Sequence, residues 1–183
     1  MDFKFDAEDG QILDGRYYPP AACPVPLILV YFPWAQGDLS DWEEIQPYFP
    51  GKFPYAVFSI TPRGCEGGCQ TWDRQGWLLD FKAAVQTAER LPCADDRPLM
   101  TLGSVSGGDA AFFACGVSEN CFGAVAFSPG GWLGIAYEDE VKNLIEQGKY
   151  AWSIYAQDDA KAIRLYRPDW LRHYREIVVE GKG

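Results

Sequence analysis

The chain has few of the residues on which metal binding and nucleic-acid binding depend. It has one histidine in 183 residues and no Cys-x-x-Cys pair, so it lacks the spacing that a zinc site would need. Its 16 Lys and Arg are outnumbered by 26 Asp and Glu, and a net charge of −10 argues against a phosphate-backbone partner. No apolar run approaches the roughly 20 residues of a membrane helix. We therefore expect no metal, no cofactor, no nucleic-acid partner and no membrane span.

What the chain does contain is enough apolar material for one core. Hydrophobic residues make up 48% of the chain and aromatic residues 15%, which excludes a disordered polymer. At this length, a single domain over residues 1–183 is expected. The first residues lack the basic and then apolar layout of a signal peptide.

Six cysteines bear on the compartment. Cys65 and Cys69 bracket three residues, and Cys115 and Cys121 bracket a short loop, so each pair could close a small ring, whereas Cys23 and Cys93 have no obvious partner. Disulfides would indicate a secreted or cell-envelope protein, and reduced buried thiols would indicate a cytoplasmic one. We favour the first, with the two ring-closing pairs bracing loops.

Apolar runs alternate with helical patterns along the chain. The predicted strands lie at 3–5, 12–18, 26–32, 55–60, 98–102, 122–127, 152–156 and 177–179. Helices are predicted from a capping box at Ser40-Asp41-Trp42-Glu43 and over 77–88, 107–115, 138–147 and 158–165. This alternation predicts an α/β fold with a doubly wound, mostly parallel sheet and an N-terminal antiparallel hairpin. The strand ending at Leu102 is expected near the middle of the sheet.

The most informative segment follows that strand. An apolar run ends abruptly in Gly103-Ser104-Val105-Ser106-Gly107, and a helical pattern begins there. Such a strand–turn–helix is typical of a nucleophile elbow, in which G-x-S-x-G presents a serine at a strained turn. Here the central position is Val105. A β-branched residue is unfavourable in such a turn, which favours a relaxed conformation at the tip.

Further motifs accompany the elbow. They are Gly15-Arg16-Tyr17-Tyr18-Pro19-Pro20, Trp34-Ala35-Gln36-Gly37-Asp38 with Asp41-Trp42, Arg63-Gly64-Cys65-Glu66-Gly67-Gly68-Cys69, Gly76-Trp77-Leu78-Leu79-Asp80, Gly107-Gly108-Asp109-Ala110-Ala111 and Ser128-Pro129-Gly130. With these motifs the chain resembles the α/β-hydrolases, and among them the dienelactone-hydrolase-like group of small bacterial secreted or lipid-anchored proteins. The resemblance implies serine-dependent cleavage of a small-molecule ester or acyl substrate. It also implies a nucleophile at Val105, an acid at Asp159, and a histidine after the last strand.

Two of these three positions depart from the family pattern. Val105 carries no nucleophile, and the sequence given ends at Gly183 just before the expected histidine turn. Ser106 is the alternative nucleophile, although a serine there more often caps or turns the chain. His173 precedes the last strand and is expected at the wrong edge of the sheet. Asp159 could equally be part of a helix N-cap pair with Asp158.

Around these positions the resemblance implies an oxyanion pocket. The Trp34-Ala35 loop and the amide of Ser106 would form it, with Trp34 and Trp132 as candidate walls of the cleft. Three interpretations stay open: a hydrolase-fold protein that is catalytically impaired, a binding module without catalysis, and a fragment of an active enzyme. An active serine hydrolase that uses Ser106 is the remaining alternative.

Overall fold

The computed structural model describes residues 1–45, 55–66, 68–71, 73–94, 97–159 and 172–180. These residues form eight strands and four helices. The strands are β1 (Asp2–Asp6), β2 (Ile12–Tyr18), β3 (Leu27–Phe32), β4 (Tyr55–Thr61), β5 (Leu99–Ser104), β6 (Cys121–Phe127), β7 (Tyr150–Ala156) and β8 (Tyr174–Val179). The helices are α1 (Asp41–Ile45), α2 (Arg74–Ala88), α3 (Ser106–Val117) and α4 (Tyr137–Glu146).

All eight strands belong to one sheet with the order β1-β2-β4-β3-β5-β6-β7-β8. β1 pairs antiparallel with β2, and β2 pairs antiparallel with β4, whereas every other pair is parallel. The predicted α/β architecture and its N-terminal hairpin are therefore confirmed. β5 lies inside the sheet, parallel to both of its neighbours, as its unbroken apolar run predicts.

Helices cover both faces of the sheet, as a doubly wound fold requires. α2, α3 and α4 pack side by side on one face over the larger hydrophobic core. α1 lies on the other face, where the fully buried Trp42 packs in a smaller core with Leu29, Tyr31, Val57 and Leu102. Because β3 is covered on both faces, five of its six residues are buried.

The capping box predicts the start of α1 correctly, but within the described part of the chain the Ser40 side chain does not accept a helix N–H as a capping box requires. The Ser40 hydroxyl donates to Asp38 Oδ1 at 2.6 Å, and the backbone N–H of Glu43 donates to the Ser40 carbonyl at 2.8 Å. Most of the helix predicted over 158–165 lies outside the described residues.

All six cysteines are paired in three disulfides. Cys65 is joined to Cys69 and Cys115 to Cys121, the two pairs that the sequence predicts. The third bond joins Cys23 to Cys93 across 70 residues, a pairing that the sequence did not predict. It ties the segment before β3 to the loop after α2.

Candidate functional site

Val105 occupies the tip of the turn between β5 and α3. Its backbone has φ 55° and ψ −115°, a conformation that costs about 1–3 kcal/mol in a residue other than glycine. Its N–H donates to the Phe127 carbonyl at 2.8 Å, which ties the tip to the end of β6. The expectation of a relaxed turn is wrong, because this packing holds the strained conformation although a β-branched residue disfavours it.

Close backbone packing explains the two glycines that flank the tip. A Cβ on Gly103 would lie 2.2 Å from the Gly107 carbonyl oxygen, and one on Gly107 would lie 2.2 Å from the Phe32 carbonyl oxygen. No side chain fits at either position. The same contact brings the N-terminus of α3 against the end of β3, and therefore against the loop that begins at Pro33.

Ser106 is the first residue of α3, and 3% of it is exposed. It does not act as the N-cap, because Val105 occupies that position and provides no side-chain cap. A serine at the first helical position follows the tip and does not form it, so its hydroxyl lacks the elbow conformation that directs a side chain into the cleft. The helical position of Ser106 and its burial therefore both argue against its use as a nucleophile.

Backbone donors surround the tip. The first N–H groups of a helix have no intrahelical acceptor, so the amides of Ser106 and Gly107 are available to an oxygen of a ligand. In the loop after β3, the Ala35 carbonyl accepts the Cys69 N–H at 3.1 Å. The loop closed by the Cys65–Cys69 disulfide therefore holds the Trp34-Ala35 loop in place. Trp34 itself is 42% exposed.

Asp109 fixes the loop that follows β6, a role that sequence reasoning missed. Its carboxylate accepts the N–H groups of Gly130 at 3.1 Å, Gly131 at 3.3 Å, Leu133 at 3.4 Å and also that of Trp132. Burial raises the pKa of Asp109, and these four donors oppose that rise. The loop that carries the half-buried Trp132 is thus pinned to α3 just beyond the elbow. The Gly107-Gly108-Asp109 motif was the only signal for it.

Asp159 follows β7 and lies at the same edge of the sheet as Val105. It is half-buried, and its N–H donates to the Ala156 carbonyl at 3.1 Å. Because β7 is two strands from β5, about 10 Å separates the two strand axes. The sheet order therefore places Asp159 at the same edge as Val105 and two strands away from it, and its role as a triad acid stays a prediction.

His173 lies at the opposite edge. It directly precedes β8, and its ring packs 5.2 Å from that of Tyr150 between centroids. The six residues of β8 separate it from the carboxyl edge by about 20 Å. Hydrogen-bond reach is about 3 Å, so the only histidine of the chain has no access to Val105, Ser106 or Asp159.

Arg63 follows β4 at the carboxyl edge, and its side chain is bound by two carboxylates of the protein. Its guanidinium donates to the buried Asp80 at 2.9 and 2.7 Å and to Asp9 at 2.5 and 2.9 Å. The Arg63 hydrogen bonds lower the pKa of Asp9 to about 2. The Trp77 indole also donates to the Arg63 carbonyl at 2.9 Å. Arg63 therefore anchors its loop. Its positive charge is balanced by the Asp9 and Asp80 carboxylates.

Solved hydrolase structures share this architecture. An esterase from Pyrococcus furiosus superposes with a TM-score of 0.73 at 15% identity, over 99% of this chain and 81% of the esterase. An α/β hydrolase from Penicillium sp. sh18 has a TM-score of 0.71 at 14% identity, over 100% of this chain and 90% of the other. The chain has the α/β-hydrolase fold. The acylaminoacyl peptidase of Pyrococcus horikoshii matches with a TM-score of 0.71 at 15% identity, and this chain covers 36% of its length.

Sequence comparisons add nothing to this assignment: no protein-family model and no curated protein matches the chain. Within the described residues, no group of three or more His, Cys, Asp or Glu side chains could hold a metal ion. Among the same described residues, no helix is both long enough and apolar enough to cross a membrane.

Proposed function

We propose that this α/β-hydrolase-fold chain binds a small ester or carboxylate in the cleft at the carboxyl edge of its sheet, without serine-hydrolase turnover. The observation that carries the proposal is Val105 at φ 55°, ψ −115°. In a nucleophile elbow such a conformation directs one side chain toward the substrate, and the side chain of valine has no atom that can attack a carbonyl or be acylated.

Binding is supported by what the cleft retains. The N–H groups of Ser106 and Gly107 can donate to a carbonyl or carboxylate oxygen, and the partial positive charge of a helix N-terminus favours an anion there. The disulfide-braced loop of Ala35 and the Asp109-bound loop of Trp132 form rigid walls. Ligand affinity benefits from such preorganisation, because less conformational entropy is lost on binding.

The dienelactone-hydrolase-like subtype, implied by the motifs around the elbow, belongs to this proposal. So does an extracytoplasmic location, which is supported by the pairing of all six cysteines.

A fluorophosphonate probe, which phosphonylates activated serines with loss of fluoride, tests the absence of turnover. The unmodified chain should show no labelling, and neither should Val105→Ser alone, because loss of one triad member costs about a millionfold in kcat in subtilisin. Val105→Ser combined with an added histidine-bearing turn after Gly183 should be labelled. Labelling of the unmodified chain that disappears in Ser106→Ala would establish an active serine hydrolase and overturn the proposal.

Titration with butyrate, followed by amide chemical shifts, tests binding separately. We expect the largest shifts at the amides of Ser106, Gly107 and Ala35. Shifts confined to other parts of the chain, or no saturable shift at millimolar butyrate, would contradict a carboxylate-binding cleft.

A further inference from the structure

A cavity lies between α3 and α4, in the helix layer. Its volume is about 240 Å³. The residues that line it are Phe112, Phe113, Val117, Ile135, Asp139, Glu140 and Asn143. The proposed function uses none of these lining residues.

Glu140 is the unusual residue of this cavity. It is 6% exposed, and neither of its carboxyl oxygens has a hydrogen-bond partner among the described residues. The charged group that acts most strongly on it is the buried Asp109, which has the same sign and repels it. Buried polar atoms are nearly always hydrogen-bonded, and an unpartnered one costs about 1–3 kcal/mol. Glu140 lines the adjoining cavity, and a donor bound there would remove this cost once the buried carboxyl turns toward it.

The walls define what kind of donor fits. Phe112, Phe113, Val117 and Ile135 provide apolar surface, and no Lys or Arg is among the described residues that line the cavity. Asp139, which is exposed, adds a second carboxylate to the lining. A cavity of about 150 Å³ holds benzene, so 240 Å³ accommodates one ring and a short polar group. Apolar walls, the Asp139 carboxylate and the Glu140 carboxylate that forms when its proton is released to solvent are together complementary to an apolar body that carries a positive charge.

We propose that the cavity between α3 and α4 is a binding site for a small primary ammonium compound with an apolar body, whose ammonium group donates to Glu140. The aryl or alkyl part would contact the two phenylalanines, and Asp139 would add a second, more solvated carboxylate.

Benzylamine and benzyl alcohol are suitable probes because they share a ring and differ in charge. Calorimetric titration of the full chain at neutral pH should give saturable binding of benzylamine and at least tenfold weaker binding of benzyl alcohol. Glu140→Gln should weaken benzylamine at least tenfold and leave benzyl alcohol unchanged. Glu146→Gln, an exposed change on the same helix, is the matched control and should have no effect.

Val117→Trp provides a second variant that leaves the carboxyl intact. Val117 is exposed at the end of α3, so a larger side chain is tolerated there and fills the cavity. It should abolish benzylamine binding. Equal affinity for the two probes, unchanged affinity in Glu140→Gln, or no binding of benzylamine at millimolar concentration would each overturn the proposal. None of these outcomes affects butyrate binding at the cleft.

Discussion

Val105 has a strained backbone conformation at the tip of the elbow, and the effect of this strain on the free energy of unfolding can be measured. We predict that Val105→Gly raises the free energy of unfolding by about 1 kcal/mol, since glycine adopts φ 55° without steric cost while giving up some entropy and packing. Urea denaturation would measure it. Val117→Gly, on an exposed valine at the last position of α3, should instead lower the free energy of unfolding by about 0.5–1 kcal/mol. Destabilisation by both changes would show that the tip is not strained.

Glu140 should make stability depend on pH. Burial, reinforced by the charge of Asp109, raises its pKa well above the ordinary value of 4.5. The folded carboxyl keeps a proton that the unfolded chain releases above pH 4.5, so its contribution is complete below that pH and declines as the pH rises toward the folded pKa.

We therefore predict that Glu140→Gln loses less stability than the unmodified chain between pH 4.5 and pH 8.5. Urea midpoints across this range would measure the difference. Glu146→Gln, at an exposed site, should follow the unmodified profile. Parallel profiles for the unmodified chain and Glu140→Gln would show that Glu140 ionises as freely in the folded state as in the unfolded one.

At the scale of elements, local patterns predicted most of the fold. The apolar run that ends in glycine and serine placed β5 and α3, and Ser40 and Glu43 placed the start of α1. The Ser40 side chain was predicted less well, since Asp38 offers a charged acceptor only two residues away. Periodicity identifies the element and its buried face, but competition among nearby polar groups decides each hydrogen bond.

Contacts between distant segments could not be predicted in this way. Glu140 belongs to an acidic first turn with Glu138 and Asp139, a pattern usually explained by the helix dipole and solvent exposure. Its burial depends on how α4 packs against α3. The four N–H donors that hold Asp109 likewise come from a loop about 20 residues away, which the sheet order brings into place.

For the whole molecule, the three disulfides are unequal constraints. The Cys65–Cys69 and Cys115–Cys121 bonds close loops with sequence separations of 4 and 6, whereas Cys23–Cys93 spans 70 residues. That span includes β3, α1, β4 and α2, so the bond restricts a large part of the unfolded chain. Loop-closure entropy gives about 4 kcal/mol for the long loop and about 2 kcal/mol for each short one.

We accordingly predict that the double substitution of Cys23 and Cys93 by serine lowers the free energy of unfolding by about 4 kcal/mol, and that of Cys65 and Cys69 by about 2 kcal/mol. Urea denaturation of the oxidised proteins would measure both losses. The Cys65–Cys69 variant should nevertheless have the larger effect on ligand binding, because the Cys69 N–H holds the Ala35 loop. Butyrate binding should therefore weaken in the second variant and persist in the first. A chain that keeps its full stability under a strong reductant would contradict the crosslinks, and with them the inference of an oxidising compartment.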